Sequence, residues 1–312
     1  MPRRKTARVC CLTVDADPLD VYYHNRGLVP GEKANVEAVY QDGLPRWREL
    51  LKRLGIKATF FVTGKEAAAA QNREILAALV ADGHELANHS FCHPADFADL
   101  DEKRLLEEIA GAEKVISDIV GGPVLGFRAP GWNVNHELFR VLEERGYRYE
   151  SSLMPLCGYR RLLGAFRLAE RLSAGRLLDG QVHWSLSRQS PYRIVPQRPR
   201  VPGKSGLVEV PCGFCRCPPC PLNFTAAVWL GQSLYRLLAQ AATISWAPLV
   251  FIAHGIDLVD FEKQIADERL VRKPGLARPM SEKLKLMESI LGILGRGRHW
   301  VTAAELALTA CD

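Results

Sequence analysis

Short apolar segments alternate with longer segments of helical periodicity along most of this chain. Seven apolar segments predict strands: ARVCCLTV, KATFFVT, HELAN, GFRAP, YRYESS, LVEVP and APLVFIAH. The intervening helical patterns cover residues 42–55, where Gly55 is predicted to end the helix, and residues 66–83, 101–122, 136–146, 225–242 and 281–295. Strands that alternate with helices predict a parallel sheet, and about seven such units over residues 1–312 favour one β/α barrel over two domains.

The composition is that of a folded globular protein. The chain has 312 residues, 47% of them hydrophobic and 24% charged, which is enough to bury a sizeable core. The first residues carry a basic head, but the apolar run VCCLTV is too short for a secretory signal or a membrane span. A cytoplasmic protein is therefore expected, and the odd count of nine scattered cysteines predicts reduced thiols.

Positive charge is concentrated in the segment that fits the alternation worst. The formal net charge is +6, yet residues 155–204 hold ten Lys or Arg against two acidic residues. We interpret 155–206 as an insertion on one face of the barrel, where either a solvated basic face or a surface for an anionic partner is consistent with the charge. Nucleic acid is not expected, because the sequence shows neither a reading motif nor stacking aromatics interleaved with the basic residues.

Residues 159–178 within this insertion have the pattern of a basic amphipathic helix. Arginines occupy one side of a helical wheel, and leucines with Phe166 occupy much of the other. Such a helix is typical of a membrane interface, where it predicts peripheral contact with the inner membrane face. An ordinary helix that covers the barrel is the alternative.

Polar side chains suited to catalysis follow several of the predicted strands. The carboxyl ends of barrel strands converge on one face, so these side chains are expected to meet there. They are Asp15 and Asp17 after the first strand, His89 and His93 after the third, Arg128 after the fourth, Glu150 at the fifth, and His254 after the last.

The segment LANHSFCHP places His89 and His93 four residues apart, a spacing that can present both imidazoles on one side of a turn. Two imidazoles and one carboxylate, with a position left for water, are the ligands of a hydrolytic zinc site. Asp15 and Asp17 in TVDADP share one side of a strand, so one can bind the metal while the other accepts a proton from water. Structural histidines, and a calcium-type site or helix cap at the aspartates, are the alternatives.

Six motifs occur in a characteristic order: TVDADP, KATFFVTG, GHELANHSFCHP, FRAPGW and YRYESSL before residue 154, and FIAHG near residue 254. In this order they resemble the polysaccharide deacetylase family, which is carbohydrate esterase family 4 with its NodB homology domain. The resemblance implies a NodB-type distorted (β/α)7 TIM-like barrel, in agreement with the strand and helix pattern. It also implies metal-assisted hydrolysis of an N-acyl group, usually acetyl, on an amino sugar, with one divalent cation, Zn²⁺, as the expected cofactor.

The resemblance further implies a role for each site residue. Asp15 would be the general base, and Asp17, His89 and His93 would bind the metal. Arg128 would hold Asp15 in its ionised form, since a neighbouring guanidinium favours the charged state.

The proton donor and the oxyanion donors follow from the later motifs. His254 would be the general acid that protonates the leaving amine, and Glu150 would be the carboxylate that keeps His254 cationic. Backbone N–H groups near Gly131 and Trp132, together with the metal, would stabilise the oxyanion. Ser90 would brace the histidine loop.

Three positions depart from the common form of the family. Ala16 separates two aspartates that usually adjoin, and this D-x-D form resembles a subset that includes a lipid-linked amino-sugar deformylase and some peptidoglycan deacetylases. Glu150 stands where aspartate is usual, and Trp132 follows Arg128 by four residues where a tyrosine usually follows by three. The substrate therefore stays open between free, polymeric and polyprenyl-phosphate- or lipid-linked amino sugars, acylated with acetyl or formyl.

The segment CGFCRCPPC gathers four cysteines, Cys212, Cys215, Cys217 and Cys220. Structural zinc sites set their cysteine pairs further apart, although a small zinc cluster is an alternative. A nucleobase deaminase would need H-x-E, which none of the eight histidines provides. We interpret the segment as a proline-rich loop with cysteines as small fillers.

Three functions are compatible with the sequence. The first is an amide hydrolase acting on an N-acylated amino sugar. The second is a barrel without catalysis that binds an anionic glycan or lipid, and the third is a hydrolase of cyclic non-sugar amides. An acid and a base around one metal favour the first, because a binding protein needs neither. Nothing in the sequence indicates the oligomeric state.

Overall fold

The computed structural model describes residues 8–31, 34–155, 188–199, 201–204, 206–216, 219–271 and 273–309. The predicted amphipathic helix 159–178 and most of the predicted insertion lie outside the described residues. Within the described ranges, no helix is both long and apolar enough to cross a bilayer.

A sheet of nine strands organises the described part of the chain, in the order β10-β1-β2-β3-β4-β5-β7-β6, with β11 also beside β1. All neighbours from β10 to β7 are parallel, whereas β6 is antiparallel to β7. The strands are β1 (Val9–Ala16), β2 (Thr59–Val62), β3 (Glu85–Asn88), β4 (Gly126–Phe127), β5 (Tyr149–Glu150), β6 (Tyr192–Arg193), β7 (Val208–Glu209), β10 (Leu249–His254) and β11 (His299–Val301). A separate hairpin pairs β8 (Phe214–Arg216) with β9 (Pro219–Pro221).

The chain that leaves β7 connects the two ends of this parallel path. Val210 N donates to Glu150 O at 2.8 Å, and Cys212 N donates to Leu153 O at 3.1 Å. One residue later, Gly213 N donates to Val250 O in β10 at 3.2 Å. These hydrogen bonds close the seven parallel strands in an irregular way. The predicted distorted seven-stranded β/α barrel is therefore confirmed.

Helices follow most of the parallel strands. They are α1 (Leu19–His24), α2 (Leu44–Leu54), α3 (Gly64–Ala68), α4 (Ala70–Ala81), α5 (Glu102–Val120), α6 (His136–Glu144), α7 (Phe224–Leu230), α8 (Gln232–Ala242), α9 (Met280–Leu294) and α10 (Ala303–Leu308). Two π-helical turns (Val39–Gly43 and Phe261–Ile265) and four 3-10 turns (Phe97–Asp99, Pro130–Trp132, Gly255–Leu258 and Glu268–Leu270) complete the described elements.

Two of the predicted helices are broken in the structure. The prediction over 66–83 becomes α3 and α4, because Ala69 has an extended conformation with ψ 128°. The prediction over 225–242 becomes α7 and α8, because Gly231 has φ 78° and ψ 152°. Gly55, with φ 63°, ends α2 as predicted, since glycine adopts this left-handed conformation without steric cost.

The alternation of side chains along the strands separates two apolar layers. Cys11, Phe61 and Ala87 belong to a small cluster together with Tyr149 and Val250. Their strand neighbours belong instead to the larger cluster that includes the helices. Because side chains alternate between the faces of a strand, the small cluster fills the barrel interior.

Candidate active site

The interior face of the strands carries the candidate site at its carboxyl end. Cys11 lies in the interior cluster, and Asp15 follows it on the same face of β1. Asp17 lies two residues beyond Asp15, just after the strand ends. His89 likewise continues the interior row that includes Ala87 in β3. The predicted convergence of these side chains therefore follows from strand periodicity.

Asp17, His89 and His93 lie together, as predicted. One ligand atom from each lies within 4.8 Å of the others. The Oδ1 atom of Asp17 is 3.2 Å from His89 Nε2 and 3.4 Å from His93 Nε2. This oxygen is buried without a hydrogen bond of ordinary geometry. An orphaned carboxylate oxygen between two imidazole nitrogens is an arrangement that a bound cation completes.

The orientation of His89 supports the same interpretation. Its Nδ1 lies 2.7 Å from the carbonyl oxygen of Arg128. A carbonyl can only accept, so Nδ1 carries the proton, and in the neutral imidazole Nε2 then presents a lone pair toward Asp17. A backbone carbonyl that fixes the tautomer in this way is a common partner of metal-binding histidines.

Electrostatics keep Asp17 ionised. Burial would raise the pKa of its carboxyl, but His93 and His89 lower that pKa well below its ordinary value. Burial lowers the pKa of His93, which favours the neutral imidazole that a metal requires. Burial opposes a charge on His89 as well, but Asp17 and Asp15 raise its pKa. Tyr22 donates from its hydroxyl to the other oxygen of Asp17 at 3.2 Å.

The loop that carries the two histidines is held in a strained conformation. Ser90 and His93 have φ of 65° and 56°, a region that non-glycine residues rarely occupy. Asn88 Oδ1 accepts from Ser90 N at 2.8 Å, and Ser90 Oγ accepts from His93 N at 3.0 Å. Glu108 on α5 accepts from the backbone N–H groups of residues 91 and 92 at 2.9 and 2.8 Å. Ser90 thus braces the loop, as predicted.

Arg128 is fully buried and pairs with Asp15, as the sequence predicts. Its Nη1 lies 2.5 Å from Asp15 Oδ1 and donates to Thr13 Oγ1 at 3.0 Å. Its Nε and Nη2 donate to the carbonyl and hydroxyl of Ser151 at 2.8 and 3.0 Å. The guanidinium also lies 4.1 Å from the ring of Phe61. These contacts fix the Asp15 carboxylate in position.

The contacts of Glu150 differ from those that its predicted role requires. Its carboxylate accepts from the backbone N–H and the hydroxyl of Ser152, and it interacts electrostatically with the carboxyl group of Glu209 on β7. Burial raises the pKa of both glutamates, and that of Glu209 lies well above its ordinary value. Two fully buried carboxyl groups in contact hold a proton between them, so this pair is a structural acid pair.

The carboxylate beside His254 is Asp257, which the sequence analysis missed. Asp257 Oδ2 accepts from the backbone N–H of His254 at 2.8 Å and lies 3.8 Å from its Nδ1. The prediction that Glu150 partners His254 is therefore corrected: the turn Gly255–Leu258 folds a nearer carboxylate back onto the imidazole. The spacing H-G-I-D was the signal available, because residue i+3 of a tight turn returns to residue i.

The turn Pro130–Trp132 places the indole of Trp132 next to His254. The two ring centroids are 6.2 Å apart, and both Gly131 and Trp132 have positive φ, 57° and 55°. The backbone N–H of Trp132 donates to Ala129 O at 2.9 Å. The oxyanion role expected of the backbone near Gly131 and Trp132 stays a prediction. The buried indole Nε1 has no hydrogen-bond partner and is the available donor.

Residues 4–150 match the family model described as polysaccharide deacetylase. This match covers just under half of the 312-residue chain, so residues 4–150 are similar to that family. Among curated relatives, a peptidoglycan deacetylase-like protein of Gibberella zeae is 27% identical over 205 residues, 64% of this chain and 55% of its own length. The peptidoglycan-N-acetylglucosamine deacetylase of Bacillus cereus is 30% identical over 125 residues, 38% of this chain and 57% of its own length. The chain thus spans somewhat more than half of each relative.

A solved structure has the same fold as this chain. A Mycobacterium smegmatis protein described as a polysaccharide deacetylase aligns with a TM-score of 0.60 at 19% identity. The alignment covers 100% of this chain and 92% of that protein. At this identity the likeness concerns the fold alone.

The cysteine-rich segment forms the β8–β9 hairpin, in which Cys215 is paired in register with Cys220. Cys212, Cys215 and Cys220 are buried free thiols, and Cys217 lies outside the described residues. In the described part of the chain, the group suited to a metal contains no cysteine. The hairpin therefore agrees with the interpretation of these three cysteines as small buried fillers.

Proposed function

We propose that this chain is a metal-dependent hydrolase that removes an N-acyl group from an amino sugar. The observation that carries the proposal is the pairing of Asp15 with His254 as register neighbours on β1 and β10, beside the Asp17, His89 and His93 cluster. A base and an acid on adjacent strand ends can act on opposite sides of one amide bond.

Asp17, His89 and His93 would hold the metal, for which Zn²⁺ is the proposed ion. Two imidazoles and one carboxylate are the ligands of catalytic zinc sites that leave a position open. When bound there, a divalent cation would lower the pKa of water and polarise the acyl oxygen. The orphaned Asp17 Oδ1 and the outward lone pair of His89 Nε2 support this assignment.

Asp15 is the proposed base and His254 the proposed acid. Asp15 takes a proton from water as the water oxygen bonds to the acyl carbon. His254 then gives a proton to the amide nitrogen as the carbon–nitrogen bond breaks, which releases a carboxylic acid and a free amine. Trp132 would donate from its orphaned indole N–H toward the developing oxyanion.

The proposed substrate class follows the names of the relatives. Deacetylases of peptidoglycan are among them, and both they and a Pestalotiopsis chitin deacetylase match part of this chain. N-acetylglucosamine units in a glycan are therefore the first substrates to test. A formyl group, a lipid-linked carrier and membrane contact remain predictions, since the helix 159–178 lies outside the described residues.

Incubation of the metal-loaded protein with acylated amino sugars tests the proposal. The panel should hold N-acetylglucosamine oligomers, peptidoglycan fragments, an N-formylated sugar, lipid-linked sugars and a cyclic ureide. We expect mass spectrometry to show that a glycan of the panel loses about 42 mass units, as one acetyl group is replaced by hydrogen. Hydrolysis of the cyclic ureide alone, or binding of every glycan without turnover, would refute the assignment.

A further inference from the structure

Asp257 and Lys273 form a buried ion pair directly behind His254. Asp257 Oδ1 accepts from Lys273 Nζ at 3.1 Å, while its Oδ2 accepts from the His254 backbone N–H. The side chain of Asp257 is 2% exposed and that of Lys273 is 9% exposed. Since an ionised carboxylate is costly to bury without compensation, both contacts are needed to keep Asp257 in this place.

We propose that Asp257 and Lys273 are positioning residues for His254, in which Asp257 favours the imidazolium and Lys273 opposes it. The inference rests on the proposed function, in which His254 donates the proton to the leaving amine. It adds to that function a three-residue array, imidazole, carboxylate and ammonium, built from β10, the turn Gly255–Leu258 and the segment before α9.

The array is ordered in space. The carboxylate lies between the other two groups, at 3.8 Å from His254 Nδ1 and 3.1 Å from Lys273 Nζ. Burial would raise the pKa of Asp257, but Lys273 and His254 lower it well below its ordinary value. An ionised carboxylate at this distance stabilises an imidazolium, whereas a cation held on its far side weakens that effect.

The ammonium of Lys273 is held by a further contact. Its Nζ lies 5.3 Å from the ring centroid of Tyr22, whose hydroxyl donates to Asp17. Lys283 lies nearby, but its Nζ donates to the carbonyl oxygen of Val259 at 2.7 Å. Lys273 is therefore the lysine whose hydrogen bond reaches the carboxylate of Asp257.

Other charged groups also act on this array. Asp15 lies beside His254 in the β1–β10 register, Asp17 interacts electrostatically with His254, and Lys283 and Tyr22 interact with Asp257. All of these groups are present in each variant described below. Differences between the variants therefore report on Asp257 and Lys273.

The test compares the pH dependence of kcat/KM for the zinc-loaded wild type and for Asp257→Asn, Lys273→Met and Lys273→Arg, with the exposed Lys285→Met as control. Asp257→Asn should move the basic limb of the kcat/KM profile to lower pH by about one pH unit or more. Lys273→Met should move it to higher pH, and Lys273→Arg should restore it. A purely structural role would lower activity without moving the basic limb of the pH profile. The inference would be overturned if this limb did not move, or if it moved in the same direction in Asp257→Asn and Lys273→Met.

A readout independent of activity separates this inference from the proposed function. The ¹⁵N imidazole signal of His254, assigned by its loss in His254→Gln, can be titrated by NMR in the same zinc-loaded proteins. The pH midpoint of this signal should move to lower pH in Asp257→Asn and to higher pH in Lys273→Met. A wild type without hydrolytic activity would refute the proposed function, whereas unmoved midpoints would refute the array.

Discussion

Arg128 Nη1 lies 2.5 Å from Asp15 Oδ1 and also donates to Thr13 Oγ1, while Nε and Nη2 donate to Ser151. The buried Arg128 thus connects Asp15 at the end of β1 with Ser151, which follows β5, through hydrogen bonds. The Asp15 carboxylate is held by a side chain that itself makes three further hydrogen bonds.

Replacement of Arg128 should damage both stability and activity. Arg128→Met leaves the buried Asp15 carboxylate without its cation, and loss of one partner of a buried pair costs about 3–5 kcal/mol. A misplaced base should also lower kcat/KM by about 100-fold or more. Urea unfolding and steady-state kinetics measure the two effects.

The exposed Arg140 supplies the control for that experiment, because its ion pairs with Glu137 and Glu144 lie at the surface. Arg140→Met should cost less than about 1 kcal/mol and leave kcat/KM unchanged. Equal losses in the two variants would contradict a special role for Arg128.

Removal of a metal ligand should remove the metal. We expect about one divalent ion in each wild-type chain and a loss of most of it in Asp17→Ala, His89→Ala or His93→Ala. Elemental analysis of dialysed protein measures this content. His299→Ala, at an exposed position on β11, should keep the wild-type amount. Full metal content in the double variant His89→Ala with His93→Ala would refute the site.

Glu108 should affect metal affinity without touching the metal. It accepts hydrogen bonds from the backbone of residues 91 and 92, next to His93, whose φ of 56° is strained. Glu108→Ala should loosen this loop and weaken zinc binding by about 10–100-fold, as other supporting contacts do. Competition with a chelator measures the affinity. The exposed neighbour Glu107 is the matched control, and a similar loss in Glu107→Ala would show a general effect on α5.

The acid pair of Glu150 and Glu209 should make stability fall as pH rises. Burial and Glu150 raise the pKa of Glu209, so the folded protein retains a proton that the unfolded chain releases above the ordinary value for glutamate. The stability is complete below that ordinary value and is lost as pH rises toward the raised one. Glu209→Gln keeps a donor toward Glu150 without a titrating proton.

Urea unfolding at about pH 5 and about pH 8 tests this sign. Glu209→Gln should gain stability relative to the wild type as pH rises, by at most about 1.4 kcal/mol for each pH unit. Glu107→Gln, on the exposed side of α5, should keep the wild-type pH dependence. Parallel curves for Glu209→Gln and the wild type would show that the pair shares no such proton.

The sequence predicts the barrel and the metal cluster because both depend on local periodicity. Alternation along β1 and β3 puts Asp15 and His89 on the interior face, and the left-handed turn at Gly55 is a local preference. The cysteine hairpin and the partner of His254 depend instead on how turns fold back. Glu150 and Asp257 are both acidic residues near strand ends, and the turn Gly255–Leu258 brings Asp257 back to His254.

The break at Ala69 has a similar explanation. A continuous helical pattern covers this position, but Gly64 in α3 packs so closely on Phe91 and Ala112 that a Cβ there would lie 2.5–2.8 Å from them. This contact with α5 fixes α3 on its own axis, and tertiary contact therefore overrides helix propensity. Such close approaches cannot be read from periodicity.

Acetate release from N-acetylglucosamine oligomers by zinc-loaded wild type and Asp15→Asn tests the role of Asp15 most directly. Both proteins should bind about one zinc ion per chain. We expect turnover by the wild type and a loss of about 100–10,000-fold in kcat for Asp15→Asn, since removal of a general base has that effect. Equal rates for the two proteins, at equal zinc content, would contradict the assignment of Asp15 as the base that activates water.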